Sequence, residues 1–566
     1  MHRRDGCLMS APVITPPSGS TVTYDSLREA FAWEIPPSRN IGVACADAQP
    51  SDALALIEHA ADGTTRDYTF GDLTVLSNRL ANGLAGIGVG AGDRVGVVLP
   101  QRLETGLAHL AIYKLGAIAV PLSGLFGPEA LAMRLGDSGA RAVITDHRAL
   151  ETVSAVAADL RDCEVVVAED AVTAPHRRLG DLLGAERFTA AATTADTPAL
   201  LIYTSGTTGP PKGALHAHRV LDGHLPGFAL MYDFFPQDGD RVWTPADWAW
   251  IGGLMDALLP AWHHGRTVVA APRKGFDPEW AADLIHATKV TAAFLPPTAL
   301  KMMRQSGLAP LTGTALRTVM SGGEPLGAPM LAWAREHLGV TVNEIYGQTE
   351  ANLIVGNSAT VYEARPGSMG RPFPGHDVTI LGDDDTPAAA GETGEIAVRL
   401  PDPVAFLEYW GKPEATAHKT RSGWLRTGDV GHVDADGWFW FAARNDDVIS
   451  SAGYRIGPGE IEACLVGHPA VAMAAVIGVP DEVRGQAVKA FVQLAEGTVP
   501  DAALESALRN HVRTRLAAYE YPREIEFVDE LPLTTTGKIR RVDLRRREEN
   551  KNAARQRPQG DTQEGS

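Results

Sequence analysis

The chain has 566 residues, 45% of them hydrophobic, which is more than one hydrophobic core ordinarily organises, so two or more folded domains are expected and disorder is excluded for the bulk of it. Lys and Arg number 51 against 69 Asp and Glu, a net charge of −18 that repels nucleic-acid phosphate and anionic membrane surfaces, leaving small-molecule chemistry as the default. Cys7, Cys45, Cys163 and Cys464 show no C-x-x-C spacing, so they suggest neither a zinc site nor a disulfide framework and fit a reducing cytoplasm.

Residues 1–20 read as a flexible N-terminus that lacks the apolar stretch of a secretory signal. From Asp72 to Asp146, helices over Leu73–Ile87, Arg102–Leu115 and Pro128–Leu135 alternate with strands over Arg94–Pro100, Ala117–Pro121 and Ala140–Thr145. That alternation predicts βαβ units around a mostly parallel sheet. The most apolar stretch, Leu107–Phe126, is interrupted by His109, Lys114 and Pro121, which predicts a buried helix and strand rather than a membrane span. Ala199–Tyr203, Val290–Leu295 and Ala315–Met320 continue the α/β pattern. From Gly367 to Phe441, Gly, Pro and Asp turns separate short alternating runs such as Glu395–Arg399 and Trp438–Phe441, the texture of an antiparallel β subdomain. A compact α/β unit follows, with helices over Gly459–Val466 and Asp501–Leu516 and strands over Val471–Val479, Val488–Leu494 and Glu524–Val528. Residues 545–566 are polar and poor in apolar side chains, which predicts a disordered tail.

The sharpest local signal is Tyr203-Thr-Ser-Gly-Thr-Thr-Gly-Pro-Pro-Lys-Gly213, directly after a strand. Its glycines, Gly206 and Gly209, let backbone approach an anion. The hydroxyls of Thr204, Ser205, Thr207 and Thr208 donate to phosphate oxygens, and Lys212 adds positive charge. A Walker A loop is excluded, because Pro211 precedes the lysine and Gly213 follows it. A plain surface turn is the alternative, but so many phosphate-binding residue types rarely coincide in one.

On these residues the chain resembles the adenylate-forming (AMP-binding) superfamily, and within it the acetyl- and medium-chain acyl-CoA synthetase group. Further motifs occur in that family's order. Ser321-Gly-Gly-Glu-Pro-Leu326 resembles the adenine-side loop, with Gly323, Glu324 and Pro325 as ATP/AMP contacts. Tyr346-Gly-Gln-Thr-Glu350 resembles the next segment. There the resemblance makes Tyr346 the ring stacked on adenine, Gly347 and Gln348 nucleotide contacts, Thr349 a contact to the α-phosphate and Glu350 the magnesium-side carboxylate. Asp429 resembles the ribose clamp, assisted by Arg444, before which this chain has Ala443 where the family usually has glycine. Asp446 matches the hinge pivot, Gly453 the passage for the pantetheine arm of coenzyme A, Arg455 a phosphate contact and Lys538 the catalytic lysine.

The resemblance implies a large N-terminal α/β domain over residues 21–445, with a β subdomain from about residue 367. It also implies a small mobile C-terminal α+β domain over residues 446–544. It further implies an AMP-forming acyl-CoA synthetase using ATP, Mg2+ and coenzyme A. Lys538 would bridge the acyl carboxylate and the α-phosphate during adenylation, and would then have to leave to admit the thiol, which calls for domain rotation about Asp446. On a mobile hydroxyl-rich loop, Lys538 is also open to acetylation by a lysine acetyltransferase and reversal by a deacetylase.

Trp250, Ile251 and Gly252 resemble acyl-pocket residues, together with Gly322 and Gly347. Where acetate-specific members carry larger residues, Gly252, Gly322 and Gly347 are all glycine, so a deeper pocket is expected, each further buried methylene adding about 0.8 kcal/mol. A short-, branched- or medium-chain acid follows, with acetate or an aryl acid as alternatives. Trp248, Trp250 and Trp262 are equally accounted for as core, and His216, His218, His263 and His264 carry no metal-ligand pattern. Two rival readings are acyl transfer to a carrier-protein thiol or an amine, and a catalytically silent nucleotide-binding regulator. Lys212, Glu350, Asp429 and Lys538 argue against the second.

Overall fold

The structure is a computed structural model that describes residues 22–556, apart from 61, 161, 170–175, 205–210, 274, 325, 383, 445–446, 448, 452–453, 482–484, 517–520 and 535–537. The chain divides into two compact units. One comprises Met1–Thr379, Ala397–Thr427 and Gly437–Phe439, and the other Ile380–Ile396, Gly428–Asp436 and Trp440–Ser566. The division differs from the expected break after residue 445, because Ile380–Ile396, Gly428–Asp436 and the residues from Trp440 onward group with the C-terminal unit.

Among the described residues the first unit holds a nine-stranded and an eight-stranded sheet. In the larger, Leu54–His59, Thr267–Ala270, Arg241–Trp243, Ala292–Phe294, Thr318–Gly322 and Val342–Gln348 run parallel side by side. In the smaller, Pro198–Thr204, Ile118–Pro121, Arg94–Val98, Ala142–Thr145 and Glu164–Val167 do the same. These strands are almost wholly buried, as sheets covered on both faces by helices require. Helix Phe70–Gly86 begins on a capping box in which Thr69 and Asp72 each accept from the other's backbone N–H, at 3.1 and 2.8 Å. Helix Leu103–Lys114 is buried all round, as the apolar run Leu107–Phe126 required, and no described helix is long and apolar enough to cross a membrane. Trp248 and Trp262 are fully buried core residues, whereas Trp250 is half-buried with its ring edge-on to Phe126.

In the later part of the chain, the strands Val378–Leu381, Gly394–Arg399, Trp424–Val433 and Phe439–Arg444 occupy the region read as a β subdomain. In the second unit, Val471–Asp481 and Gly485–Leu494 form a long antiparallel pair, with Glu524–Phe527 parallel to the latter. Helices Pro458–Val466 and Ala502–Arg513 pack on one face of this sheet through Ile461, Leu465, Leu508 and Val512. The tail expected from residue 545 is corrected for its first part, since residues up to 556 continue a helix, Arg541–Gln556. Leu544 joins Phe491 and Leu531 in the core, and Glu548 meets the buried Lys489 at 2.8 Å. Sparse apolar content misled because one leucine and a buried ion pair anchor the helix. Residues 1–20 and 557–566 lie outside the described residues.

Candidate active site

In the first unit the motif residues gather at the carboxyl ends of parallel strands, where loops can converge on a ligand without breaking the sheet. Ser205, Gly206, Thr207, Thr208 and Gly209 lie outside the described residues, as do Pro325, Asp446 and Gly453. The two ends of the phosphate-loop motif are described. Thr204 pairs with Lys212 across an antiparallel ladder, so the loop springs from a fixed base. Lys212 Nζ stands over the Tyr409 ring, 5.2 Å from its centre, and the Tyr409 phenol donates to Glu350 Oε1. The structure thus links Lys212 and Glu350 through Tyr409, a residue that the sequence analysis missed. The only signal was its place among the aromatics of Phe406-Leu-Glu-Tyr-Trp410.

Tyr346, Gly347, Gln348 and Thr349 are half-buried at the end of strand Val342–Gln348, and Glu350 is buried. Gln348 is held at both ends of its amide, donating to the Thr427 carbonyl at 2.8 Å and accepting from Lys419 at 3.1 Å. On the neighbouring strand, Gly322 leads into Gly323, whose φ of +100° is tolerated only without a side chain. Glu324 pairs with Lys301 at 3.0 Å. Beyond them, the Leu326 N–H donates to Glu344 Oε1 at 2.9 Å, and burial pushes the Glu344 carboxyl up to about 7.

The three glycines read as acyl wall are closely packed. A Cβ on Gly347 would lie 2.4 Å from the Leu353 backbone nitrogen, one on Gly322 2.5 Å from Ile345 Cδ1, and one on Gly252 2.8 Å from Phe294 Cε1. Neighbouring backbone, Ile345 and Phe294 thus press on these positions, and the glycines permit that close approach. Phe294 and Ile345 are neighbours that sequence reasoning missed, since strand residues two sheet positions apart in space carry no common motif. Asp256 lies beside them, wholly buried, with its carboxyl pushed up to about 8 by burial. It was legible only as a lone acid in the apolar run Leu254–Leu259.

The second unit holds the remaining described candidates. Arg444 Nε lies 3.2 Å from Asp429 Oδ1, and the aspartate side chain is 5% exposed while the arginine is 43% exposed. The Gly428 N–H donates to Glu395 Oε1 at 2.8 Å, fixing the turn before Asp429. Arg455 lies on strand Tyr454–Ile456, opposite Ser450. Lys538 is exposed, and its backbone N–H donates to Thr534 Oγ1 at 3.0 Å. His216 and His218 are pushed down to about 3 and His264 to about 4 by burial, and His263 falls well below the ordinary value.

Comparison with known proteins yields two successive matches, the AMP-binding enzyme family over residues 44–410 and the AMP-binding enzyme C-terminal domain over residues 460–538. The uncharacterized acyl-CoA ligase YtcI of Bacillus subtilis (strain 168) is 36% identical over 88% of this chain and 93% of its own length. The mitochondrial acyl-coenzyme A synthetase ACSM3 of Mus musculus is 33% identical over 93% of each chain. Among solved structures, the anthranilate CoA ligase AuaEII in complex with anthranoyl-AMP superposes with a TM-score of 0.83 at 31% identity, covering 92% of this chain and 99% of that one.

Proposed function

Because this chain belongs to the AMP-binding enzyme family and is an AMP-forming acyl-CoA synthetase, an acid–thiol ligase that uses ATP to make acyl-AMP and then acyl-CoA, we propose roles for its residues and a class for its acid. The acid is a short-, branched- or medium-chain acid or an aryl acid. The observation that carries this is the apolar group of Ile251 and Gly252 on a short helix with Phe294 and Ile345 on strands two positions apart in one sheet, which presents hydrocarbon and aromatic surface. The anthranoyl-AMP bound by the anthranilate CoA ligase adds support for an aryl acid.

Adenylation joins a carboxylate to the α-phosphate of ATP with loss of pyrophosphate, so two anions must be aligned and their charge screened. Tyr346 stacks on adenine, Thr349 donates to the α-phosphate, and Asp429, steadied by Arg444, accepts from the ribose hydroxyls. The loop Thr204–Gly209 and Lys212 take the remaining phosphates, with Gly323, Glu324, Pro325, Gly347, Gln348 and Arg455 as further nucleotide contacts. Lys538 bridges carboxylate and phosphate, and its withdrawal by rotation about Asp446 clears the path past Gly453 for the coenzyme A thiol. Glu350 fits Mg2+, since Tyr409 orients its carboxylate and leaves a hard oxygen to offer. When bound, the ion supplies charge neutralisation on the phosphates.

Pyrophosphate release is measured with ATP, Mg2+ and coenzyme A across acetate, butyrate, isobutyrate, octanoate, benzoate and palmitate. A maximum between butyrate and octanoate or at benzoate is expected, and a maximum at acetate overturns the assignment. Lys538→Ala is expected to lose acyl-AMP formation by about a hundredfold or more while thioester formation from preformed acyl-AMP persists. Lys538 acetylation, written and removed by an acetyltransferase and deacetylase, acts in the same way by removing the charge. Acetylated protein that forms acyl-AMP at the ordinary rate rules this out. The cytoplasm is the proposed location, from the net charge and cysteine content, and fractionation of cells tests it.

A further inference from the structure

Residues Leu254–Leu258 form a single widened helical turn with i→i+5 hydrogen bonding, buried throughout, a form common at functional sites. Asp256 sits in it, 1% exposed. The hydrogen-bonding roles around it follow by exclusion. The Val220 carbonyl can only accept, so His224 Nδ1, 2.7 Å away, carries the ring proton. Burial pushes His224 down to about 4, so the ring is neutral and its Nε2 is an acceptor. Asn352 therefore turns its amide nitrogen toward His224, at 3.2 Å, and the second hydrogen of that nitrogen goes to Asp256 Oδ1 at 2.7 Å.

Oδ1 is thus fixed as an acceptor. Oδ2 makes no hydrogen bond among the described residues, and it faces Gly252, where a Cβ would lie 3.5 Å from it and 2.8 Å from Phe294 Cε1. With its pKa at about 8, the carboxyl is protonated at neutral pH, and the proton belongs on the oxygen that accepts nothing. A buried carboxylic acid kept neutral in apolar surroundings becomes a hydrogen-bond donor, and left unmatched against hydrocarbon it is costly.

We propose that Asp256 Oδ2 is a specificity contact of the acyl pocket that donates a hydrogen bond to an oxygen substituent, a hydroxyl or keto group, on the tail of the acid. The enzyme's own acid is then oxygen-substituted rather than a plain hydrocarbon acid. This rests on the assignment of Gly252 to the acyl pocket. A site that pairs with a substrate oxygen discriminates strongly against the analogue lacking it, because its own polar group is then stranded.

The test compares kcat/KM for pyrophosphate release between matched acids: butyrate with 3- and 4-hydroxybutyrate, and benzoate with its 2-, 3- and 4-hydroxy derivatives. The wild-type enzyme is expected to favour at least one hydroxy acid over its parent by about tenfold or more. Asp256→Asn, which turns its carbonyl to Asn352 and its amide nitrogen to Gly252, keeps that preference, and Asp256→Leu abolishes it. Turnover of parents and hydroxy acids without preference in the wild type overturns the proposal, as does an equal fall for both in Asp256→Leu. If no acid in either set releases pyrophosphate, the acyl-pocket assignment falls and takes the proposal with it. Should Asp256→Leu fail to fold, the wild-type comparison and Asp256→Asn decide.

Discussion

Tyr409 illustrates how one side chain gathers meaning from its neighbours. Its phenol donates to Glu350 while its ring face lies under Lys212, so one residue orients together the carboxylate proposed to hold Mg2+ and the cation proposed to meet phosphate. Tyr409→Phe keeps the ring and removes only the donor. The expected result is a rise of about tenfold in the Mg2+ concentration needed for half-maximal pyrophosphate release, with little change in the dependence on ATP charge screening by Lys212. An unchanged Mg2+ dependence removes Tyr409 from the positioning of Glu350. None of this was visible in the local pattern around Tyr409, because pairing of Glu408–Tyr409 with Lys212–Ala217 brings it to the lysine, and the Phe406 N–H, donating to the Glu350 carbonyl at 2.8 Å, brings this segment to the glutamate.

At the scale of elements, close approach decides more than propensity. Helix Val220–Met231 contains Gly223, Pro226 and Gly227, a composition that argues against a helix, yet it is buried along its whole length. A Cβ on Gly223 would lie 2.5 Å from the Val404 backbone nitrogen, so glycine is what lets the segment at Val404 rest on the helix. Gly223→Ala gains helix propensity but must push backbone aside, and a net loss of about 1–3 kcal/mol is expected in urea unfolding. Stabilisation instead would mean that the segment yields freely. The hairpin after Tyr346 works similarly. Tyr346 pairs with Val355 but Gln348 with Ala351, so extra residues on the returning strand bulge around Asn352 and Leu353, and Leu353 adopts a φ of +57°. That bulge carries Asn352 to Asp256. In the second unit, helix Arg541–Gln556 covers Phe491 with Leu544 and brings Glu548 to Lys489, which also pairs with Glu526 at 3.1 Å and Glu524 at 3.3 Å, so truncation after Arg540 uncovers apolar core and takes one of three carboxylates from the ammonium. A loss of about 2 kcal/mol or more in the stability of that unit is expected, chiefly from the exposed core, read by urea unfolding of the truncated chain.

Across the whole molecule the buried titratable groups set opposing slopes of stability with pH. Burial pushes His109, His216 and His218 down to about 3 and His224 and His264 to about 4, from an ordinary value of 6.5. They stay neutral in the fold while the unfolded chain protonates. Their contribution is therefore complete above pH 6.5 and is lost as pH falls toward 4, by about 1.4 kcal/mol per pH unit for each proton of difference. Asp256 and Glu344 act in the opposite sense. Raised to about 8 and about 7, they hold protons that the unfolded chain has released, so their contribution is present at low pH and declines as pH rises through those values. The midpoint of thermal unfolding is expected to peak near pH 6.5 and to fall more steeply on the acid side. In Asp256→Asn the decline between pH 6.5 and 8 becomes shallower, and an unaltered alkaline limb would show that Asp256 is already ionised there.

The sequence by itself determined the α/β class, the alternating helices and strands from Asp72 to Asp146 and the ordered series of family motifs, because period, turn chemistry and phosphate-binding residue types are local properties. It did not show what depends on neighbours. Polar residues 545–556 form a helix because the Leu544 side chain and Lys489 await them, and Gly252, Gly322 and Gly347 are packed closely by Phe294, Ile345 and backbone of other segments. Only the tertiary structure decided that Tyr409 joins Lys212 to Glu350 and that Asp256 turns an unmatched donor toward Gly252. Hydrogen bonds between distant segments and the loss of water around a buried carboxyl exist only once the chain has packed.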